Sequence, residues 1–311
     1  MGTALGYALT DLTLSTSARA LVAAIGKTPL VPLPSPHAGV QILGKTEWLN
    51  PGGSVKDRAA WSIVRAGLWS GDLKGRALLD ASSGNTAIAY AMLGAAIGFE
   101  VALCVPRNAS PERLQTLRAY GARPILTDPL EGTDGAILEA RRLAEEEPER
   151  YWYADQYGNP ANWRAHYEGT ALEVWRQTGG GVTHFVAGLG TTGTLVGVGR
   201  RLRELSPRVR IVSVEPAEAL HGIEGLKNLD TALRPAIYDA DVPDERLRVT
   251  TEEAQAWSRR LAREHGLFVG ASSGAAYAAC RRIAERLEAG VVVTVLPDGG
   301  ARYLSEEWWT T

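Results

Sequence analysis

His184-Phe185-Val186-Ala187-Gly188-Leu189-Gly190-Thr191-Thr192-Gly193-Thr194 runs from a short apolar strand, through a glycine loop, into a helix predicted over 193–205. A strand feeding a helix through a tight loop is the repeating unit of a parallel α/β sheet. Glycines at that position let backbone N–H groups approach an anion at the helix N-terminus, and threonine hydroxyls add donors. The same residues spell G-x-G-x-x-G from Gly188 to Gly193, and Glu215 follows the next predicted strand, 209–214. An acidic residue there suits a dinucleotide site. Taken alone, this stretch leaves a phosphate ester, a dinucleotide and a plain structural turn all open.

The alternation extends in both directions. Upstream, strands are expected at 41–44, 77–79, 101–105 and 124–127. Helices are expected at 57–69, 86–97, 110–120 (with Pro111 at its first position) and 135–147. A first helix, capped by Ser17, stops at Gly26. Downstream of the aromatic patch Tyr151-Trp152-Tyr153, the pattern gives helices at 160–177, 252–264 and 274–287 and a last strand at 291–296. The fold class is therefore α/β with mostly parallel sheet. Two units are expected, a smaller one over 47–149 and a larger one formed by 1–46 with 150–311, sharing an interface.

Composition narrows the function classes. The 311 residues are 45% apolar and 22% charged with a formal charge of −2, so nothing points to nucleic acid or an anionic membrane as partner. Cys104 lies in the apolar run Val101-Ala102-Leu103-Cys104-Val105 and reads as a small buried hydrophobe. Neither it nor Cys280 has a partner at metal-ligand spacing, so no metal is expected and a reducing cytoplasm fits. The first charged residue is Asp11, which leaves no basic leader region. The longest apolar run, 87–99, is too short to cross a bilayer.

Three further segments carry chemistry. Asn50-Pro51-Gly52-Gly53-Ser54-Val55-Lys56-Asp57-Arg58 delivers one lysine to the start of a helix, where the macrodipole disfavours its cation. Such a lysine is ordinarily a solvated surface group, but conversion to an imine would relieve the conflict and provide covalent catalysis. Ser82-Ser83-Gly84-Asn85-Thr86 sets hydroxyls, an amide and backbone N–H groups at another helix start; it reads as a carboxylate site or as a plain cap. Gly270-Ala271-Ser272-Ser273-Gly274-Ala275 opens a third helix, with serine by default a cap.

Together and in this order, these segments resemble the cysteine synthase branch of fold type II pyridoxal-phosphate (PLP) enzymes. The likeness runs from Gly26-Lys27-Thr28-Pro29-Leu30, through Gln156-Tyr157-Gly158-Asn159-Pro160-Ala161-Asn162, to Pro297-Asp298-Gly299-Gly300. It implies a tryptophan synthase β-like fold of two α/β domains with PLP between them. It also implies that Lys56 bonds the cofactor and moves the Cα proton, while Asn85 meets the phenolic oxygen. Ser82, Ser83, Gly84 and Thr86, with Gln156, would grip the substrate carboxylate. Gly190, Thr191, Thr192, Gly193 and Thr194 would cradle the phosphate, although Thr192 stands where the family commonly has glycine. Ser272, rather than Ser273, would meet the pyridine nitrogen. A serine there makes the ring a weaker electron sink than a carboxylate would, favouring elimination from Cβ over racemisation or transamination.

The implied reaction is β-replacement on an activated serine through a bound α-aminoacrylate, with a sulfur donor adding at Cβ to give cysteine. Gly222-Ile223-Glu224-Gly225-Leu226-Lys227-Asn228-Leu229-Asp230, with Arg234-Pro235-Ala236-Ile237-Tyr238-Asp239, is similar to the cysteine synthase B type that takes O-phosphoserine. Lys227 aligns with that type's phosphate-selecting arginine, and a solvated loop lysine is the alternative. That type accepts sulfur from the thiocarboxylated tail of a small carrier protein, and the family is commonly homodimeric. The rivals are an O-acetylserine-specific or S-sulfocysteine synthase, a cystathionine β-synthase or serine/threonine dehydratase, a non-enzymatic binding protein, and an NAD-dependent dehydrogenase using Gly188 to Gly193. His166 and His184 read as structural, and His221 borders the substrate loop.

Overall fold

The computed structural model describes residues 13–310; the lack of a basic leader, argued from Asp11, falls outside them. The chain opens with α1 (Thr16–Ala23), whose cap is Ser15, accepting the Ala18 N–H at 3.1 Å. Ser17, the expected cap, lies inside the first turn, and it is Ser15 that has the extended backbone a cap needs. Next come β1 (Leu30–Leu33), β2 (Val40–Thr46) and α2 (Lys56–Ser70). A regular alternation follows: β3 (Ala77–Ala81), α3 (Asn85–Ile97), β4 (Val101–Pro106), α4 (Pro111–Ala119), β5 (Arg123–Thr127), α5 (Gly132–Glu146) and β6 (Tyr151–Tyr153). After α6 (Pro160–Ala165) and α7 (Ala171–Gln177) come β7 (His184–Gly188), α8 (Gly193–Leu205), β8 (Arg210–Pro216) and β9 (Glu245–Val249). Then come α9 (Thr251–His265), α10 (Ala271–Ala284) and β10 (Gly290–Leu296), followed by two short 3-10 turns, Gly300–Tyr303 and Glu307–Trp309.

The strands form two sheets. Four parallel strands in the order β5-β4-β3-β6 make one. The other has the order β1-β2-β10-β7-β8-β9, parallel except for the antiparallel edge strand β1. Tyr151–Tyr153, expected beyond a seam near residue 150, instead pairs with β3, so the smaller sheet draws on chain past that point. β3 and β4 are buried along their whole length, as parallel strands covered on both faces must be. α3 is buried from Thr86 to Gly94, which makes its apolar run a core helix. Among the described residues no helix is long and apolar enough to cross a membrane.

The helix expected unbroken over 160–177 carries a π-turn at His166–Thr170. It lies hard against α8: a Cβ at Gly197 would sit 2.1 Å from the Trp163 carbonyl oxygen and 2.8 Å from His166 Cβ.

The strand orders locate the site. In the smaller sheet the chain steps outward from β3 to β4 and β5, then returns to the other side of β3 as β6. In the larger sheet it steps from β7 to β8 and β9, then returns beside β7 as β10. At such a reversal the loops leaving the strand ends diverge and open a crevice. Residues 82–86 and Gln156 follow β3 and β6; residues 190–194 and Asp298 follow β7 and β10. Lys56 follows β2, the neighbour of β10.

Candidate active site

Lys56 is the first residue of α2. The turn before it needs its glycines: Gly53 has φ +80°, and a Cβ on Gly52 would sit 2.6 Å from Asp57 Oδ1. The Val55 N–H donates to the Pro297 carbonyl at 2.8 Å, and the Lys56 N–H to Ser54 Oγ at 3.2 Å, which fixes the turn to the segment after β10. Two residues on, buried Arg58 makes ion pairs of 2.7 Å with both Glu47 and Glu173. Burial lowers the Lys56 ammonium pKa from its ordinary value, partly offset by the Asp298 carboxylate.

The loop after β3 is cross-linked by side chains. Ser82 Oγ accepts the N–H groups of Gly84 and Ala87, which holds the turn into α3, whose N-cap is Gly84. Thr86 Oγ1 donates to Gln156 Oε1 at 2.7 Å, and Gln156 Nε2 donates to the Ala81 carbonyl at 2.8 Å. Asp80, at the end of β3, accepts the Gln156 N–H at 3.1 Å, and burial pushes its carboxyl up to about 7. Asn85 Nδ2 donates to Asp298 Oδ2 at 2.6 Å. Ser83, Gly84 and Asn85 are half-buried on the wall of a cleft of about 810 Å³ that Lys56, Gln156 and Lys227 also line.

The loop after β7 is built mainly from backbone. Thr192 caps α8 with φ +70°, a left-handed conformation that favours glycine. The resemblance leads one to expect glycine here, and Thr192 holds the left-handed backbone that glycine would adopt without strain. The first N–H groups of α8 have no partner within the helix. Gly190 and Gly193 are obligatory: added Cβ atoms would sit 2.1 Å from the Gly225 carbonyl oxygen and 2.0 Å from Asn162 Oδ1. Asn162 Nδ2 joins the two loops, donating to the Gln156 carbonyl at 2.7 Å and to Thr191 Oγ1 at 3.1 Å. Thr194 Oγ1 lies 3.3 Å from His166 Nε2. Burial lowers the His166 imidazole to about 3, with Arg58 and Lys56 adding to the effect, so it is neutral.

Lys56, Asn85, Gly190, Thr191, Thr192, Thr194, Ser272 and Asp298 line one inner pocket, next to the larger cleft. Ser272 lines it, whereas Ser273 Oγ is fully buried without a partner. Asp298 carries no assigned role in the sequence. It accepts from both Asn85 and Tyr303, the latter at 2.5 Å, and burial raises its carboxyl pKa. The signal for it was an acidic residue just past the C-terminal end of the apolar strand at 291–296. Burial pushes the thiols of Cys104 and Cys280 up to about 12, so neither is a nucleophile.

Residues 21–298 match the family model described as pyridoxal-phosphate dependent enzyme. The chain is 50% identical over 292 residues to a cysteine synthase of Aquifex aeolicus, covering 90% of this chain and 89% of that one. The chain belongs to the cysteine synthase family of pyridoxal-phosphate-dependent enzymes. It is also 44% identical over 285 residues to cysteine synthase B of Pseudomonas aeruginosa, covering 90% and 94% of the two chains. The solved cysteine synthase of Entamoeba histolytica superposes with a TM-score of 0.89 at 34% identity, over 100% of this chain and 95% of that one. Fold type II is thereby the fold of this chain, PLP its cofactor and cysteine synthesis its reaction. The dehydrogenase and non-enzymatic readings fall away.

The inner pocket fits this cofactor on its own terms. Thr192 Oγ1 is buried without a hydrogen-bond partner, as suits a hydroxyl that meets a ligand oxygen. The glycine cradle and the helix N-terminus suit a phosphate ester, with a lysine and a serine in the same pocket. Lys227 is not a solvated loop residue: its side chain is only 9% exposed. Its Nζ donates to Asp134 Oδ1 at 2.7 Å and stands 5.0 Å from the centre of the Tyr157 ring. His184 sits on β7 beside Thr183, and His221 lines the larger cleft.

Proposed function

We propose that this enzyme makes cysteine by β-replacement on O-phosphoserine, and that Lys227 selects the phosphate. The observation that carries the choice of ester is a nearly buried cation on the wall of the cleft that Lys56 also lines. A leaving phosphate brings roughly −1.5 to −2 charges, and an ammonium meets it as a point charge. PLP, when bound, draws electrons from Cα, so that a proton can leave Cα and the ester group can leave Cβ.

The protein's own groups do the rest. The N-terminus of α3, with Ser83, Gly84 and Thr86, receives the substrate carboxylate, and Gln156 holds Thr86 in place. Residues 190–194 hold the cofactor phosphate, Asn85 its phenolic oxygen and Ser272 its pyridine nitrogen. Lys56 bonds the cofactor. Burial lowers its pKa, which favours the neutral amine that can accept the Cα proton. The unit built on the smaller sheet, which takes in Tyr151–Tyr153, carries the carboxylate loop and moves with it, while the larger carries the cup. Sulfide or a thiocarboxylated carrier tail supplies the sulfur, and the enzyme acts as a homodimer in the cytoplasm. Two free, buried cysteines suit a reducing compartment.

The test is kcat/KM for O-phosphoserine and for O-acetylserine in the wild type and in Lys227→Ala. A loss of about tenfold or more on O-phosphoserine alone supports the reading. Equal losses on both esters would overturn it.

A further inference from the structure

The partner of Lys227 comes from the opposite side of the cleft. Asp134 stands in the first turn of α5, which packs on the smaller sheet, whereas Lys227 lies in the connection between β8 and β9 of the larger one. The Lys227 N–H donates to the Leu189 carbonyl at 2.7 Å, which fixes its backbone to the start of the phosphate cup. Its side chain then reaches across to Asp134 Oδ1 at 2.7 Å. The other carboxylate oxygen, Oδ2, accepts the Leu233 N–H at 3.1 Å, so one side chain clasps two points of the same connection. Asp134 is 36% exposed and Lys227 only 9%, and both line the larger cleft. A second pair, Arg113 of α4 with Glu224, spans the same gap.

This arrangement has a consequence for the choice of ester. While Asp134 holds Lys227, the pair has no net charge, and a phosphate placed there would meet a carboxylate as well as an ammonium. An ester with an uncharged leaving group meets no such conflict. A phosphate gains the ammonium fully only when Asp134 withdraws, and withdrawal also releases the Leu233 contact that joins the two sides of the cleft. From this geometry we infer that Asp134 is a specificity-determining counter-ion, exchanged for the leaving phosphate on Lys227, and that it tempers the preference for phosphorylated substrate. The inference rests on the phosphate role of Lys227.

Asp134→Asn keeps the shape and removes the charge. In the PLP-loaded enzyme it raises the ratio of kcat/KM for O-phosphoserine over O-acetylserine about fivefold. Inhibition by inorganic phosphate tightens by a similar factor. In a Lys227→Ala background the same substitution moves the ratio by a clearly smaller factor, because only the bare carboxylate–phosphate repulsion is left to remove. Asp134→Ser, read in the same assays alongside thermal melting, gives the same direction should the asparagine variant fold poorly. An unchanged or lowered ratio in both variants, or a full effect without Lys227, would overturn the inference. The two readings fail separately. If Lys227→Ala costs activity on O-phosphoserine alone while neither Asp134 variant moves the ratio, only the counter-ion role is lost. If Lys227→Ala affects both esters equally, the phosphate role is lost as well.

Discussion

The two loops at the strand-order reversals do similar work by different means. The loop after β7 offers backbone: glycines at Gly190 and Gly193, a left-handed Thr192, and the open end of α8. It leaves the Thr192 hydroxyl buried without a partner. The loop after β3 offers side chains, and several of these are already engaged with one another: Thr86 with Gln156, Gln156 with Ala81, Ser82 with its own helix. A buried polar group is costly to leave unpaired. A site for a ligand that stays can carry such groups, because the ligand satisfies them continuously. A site that substrates enter and leave at every turnover does better with groups that pair among themselves in between. The contrast supports the proposed placement of the resident cofactor on one side of the cleft and of a transient carboxylate on the other.

The largest expected effect breaks the backbone side. Gly190→Ala forces a Cβ to 2.1 Å from the Gly225 carbonyl oxygen, where neither backbone can yield cheaply. Overpacking of about 3 kcal/mol should weaken PLP binding about 100-fold, measured by cofactor titration. Retention of the cofactor at wild-type affinity would mean that the cup is looser than the geometry indicates.

Gln156→Ala breaks the side-chain side. It strands the Ala81 carbonyl and removes the acceptor of Thr86, a loss of about 2 kcal/mol. Substrate KM should rise about 30-fold while cofactor affinity stays within about threefold. Steady-state kinetics on the fully loaded enzyme separates the two, and the reverse pattern would erase the contrast.

The third effect concerns pH and the neutral imidazole behind the cup. His166 titrates at about 3 in the folded chain against an ordinary value of 6.5. Between those values the unfolded chain binds the proton and the folded chain does not, so stability falls as pH drops below 6.5. From about pH 7 to about pH 5.5 this contributes about 1 kcal/mol of loss, which His166→Gln should remove. Urea midpoints at both pH values provide the check. The smallest effect is Thr192→Gly, which relieves the left-handed backbone and should stabilise the protein by about 0.5 kcal/mol in thermal melts.

Much of this was legible in the sequence because both loops announce themselves locally. Gly188-Leu189-Gly190-Thr191-Thr192-Gly193 and Ser82-Ser83-Gly84-Asn85-Thr86 each lie between an apolar strand and a helix start, and the structure has them there. Two edge strands were hidden for physical reasons. β1 contains Pro32, which weakens any strand pattern and is tolerated only at an edge. β9 alternates Glu245, Arg246, Leu247, Arg248 and Val249, a half-exposed pattern easily taken for loop. Tyr151–Tyr153 looked like a patch because three aromatic residues make a very short strand, and only its pairing with β3 identifies it. Asp298 could be placed past the last strand but given no role, and Asp134 gave no signal, because what marks each is a partner far off in the chain, 213 residues away for Asp298 and 93 for Asp134.

The central claim is that Lys56 carries PLP at the meeting of these two loops. The most direct measurement is to reduce the cofactor-loaded enzyme with borohydride, which fixes the cofactor to the lysine it bonds, and then to map the labelled peptide. The account predicts a single pyridoxyl label on Lys56, lost in Lys56→Ala. A label on Lys45 or Lys227 instead, or a loaded enzyme that gains no stable label, would contradict it.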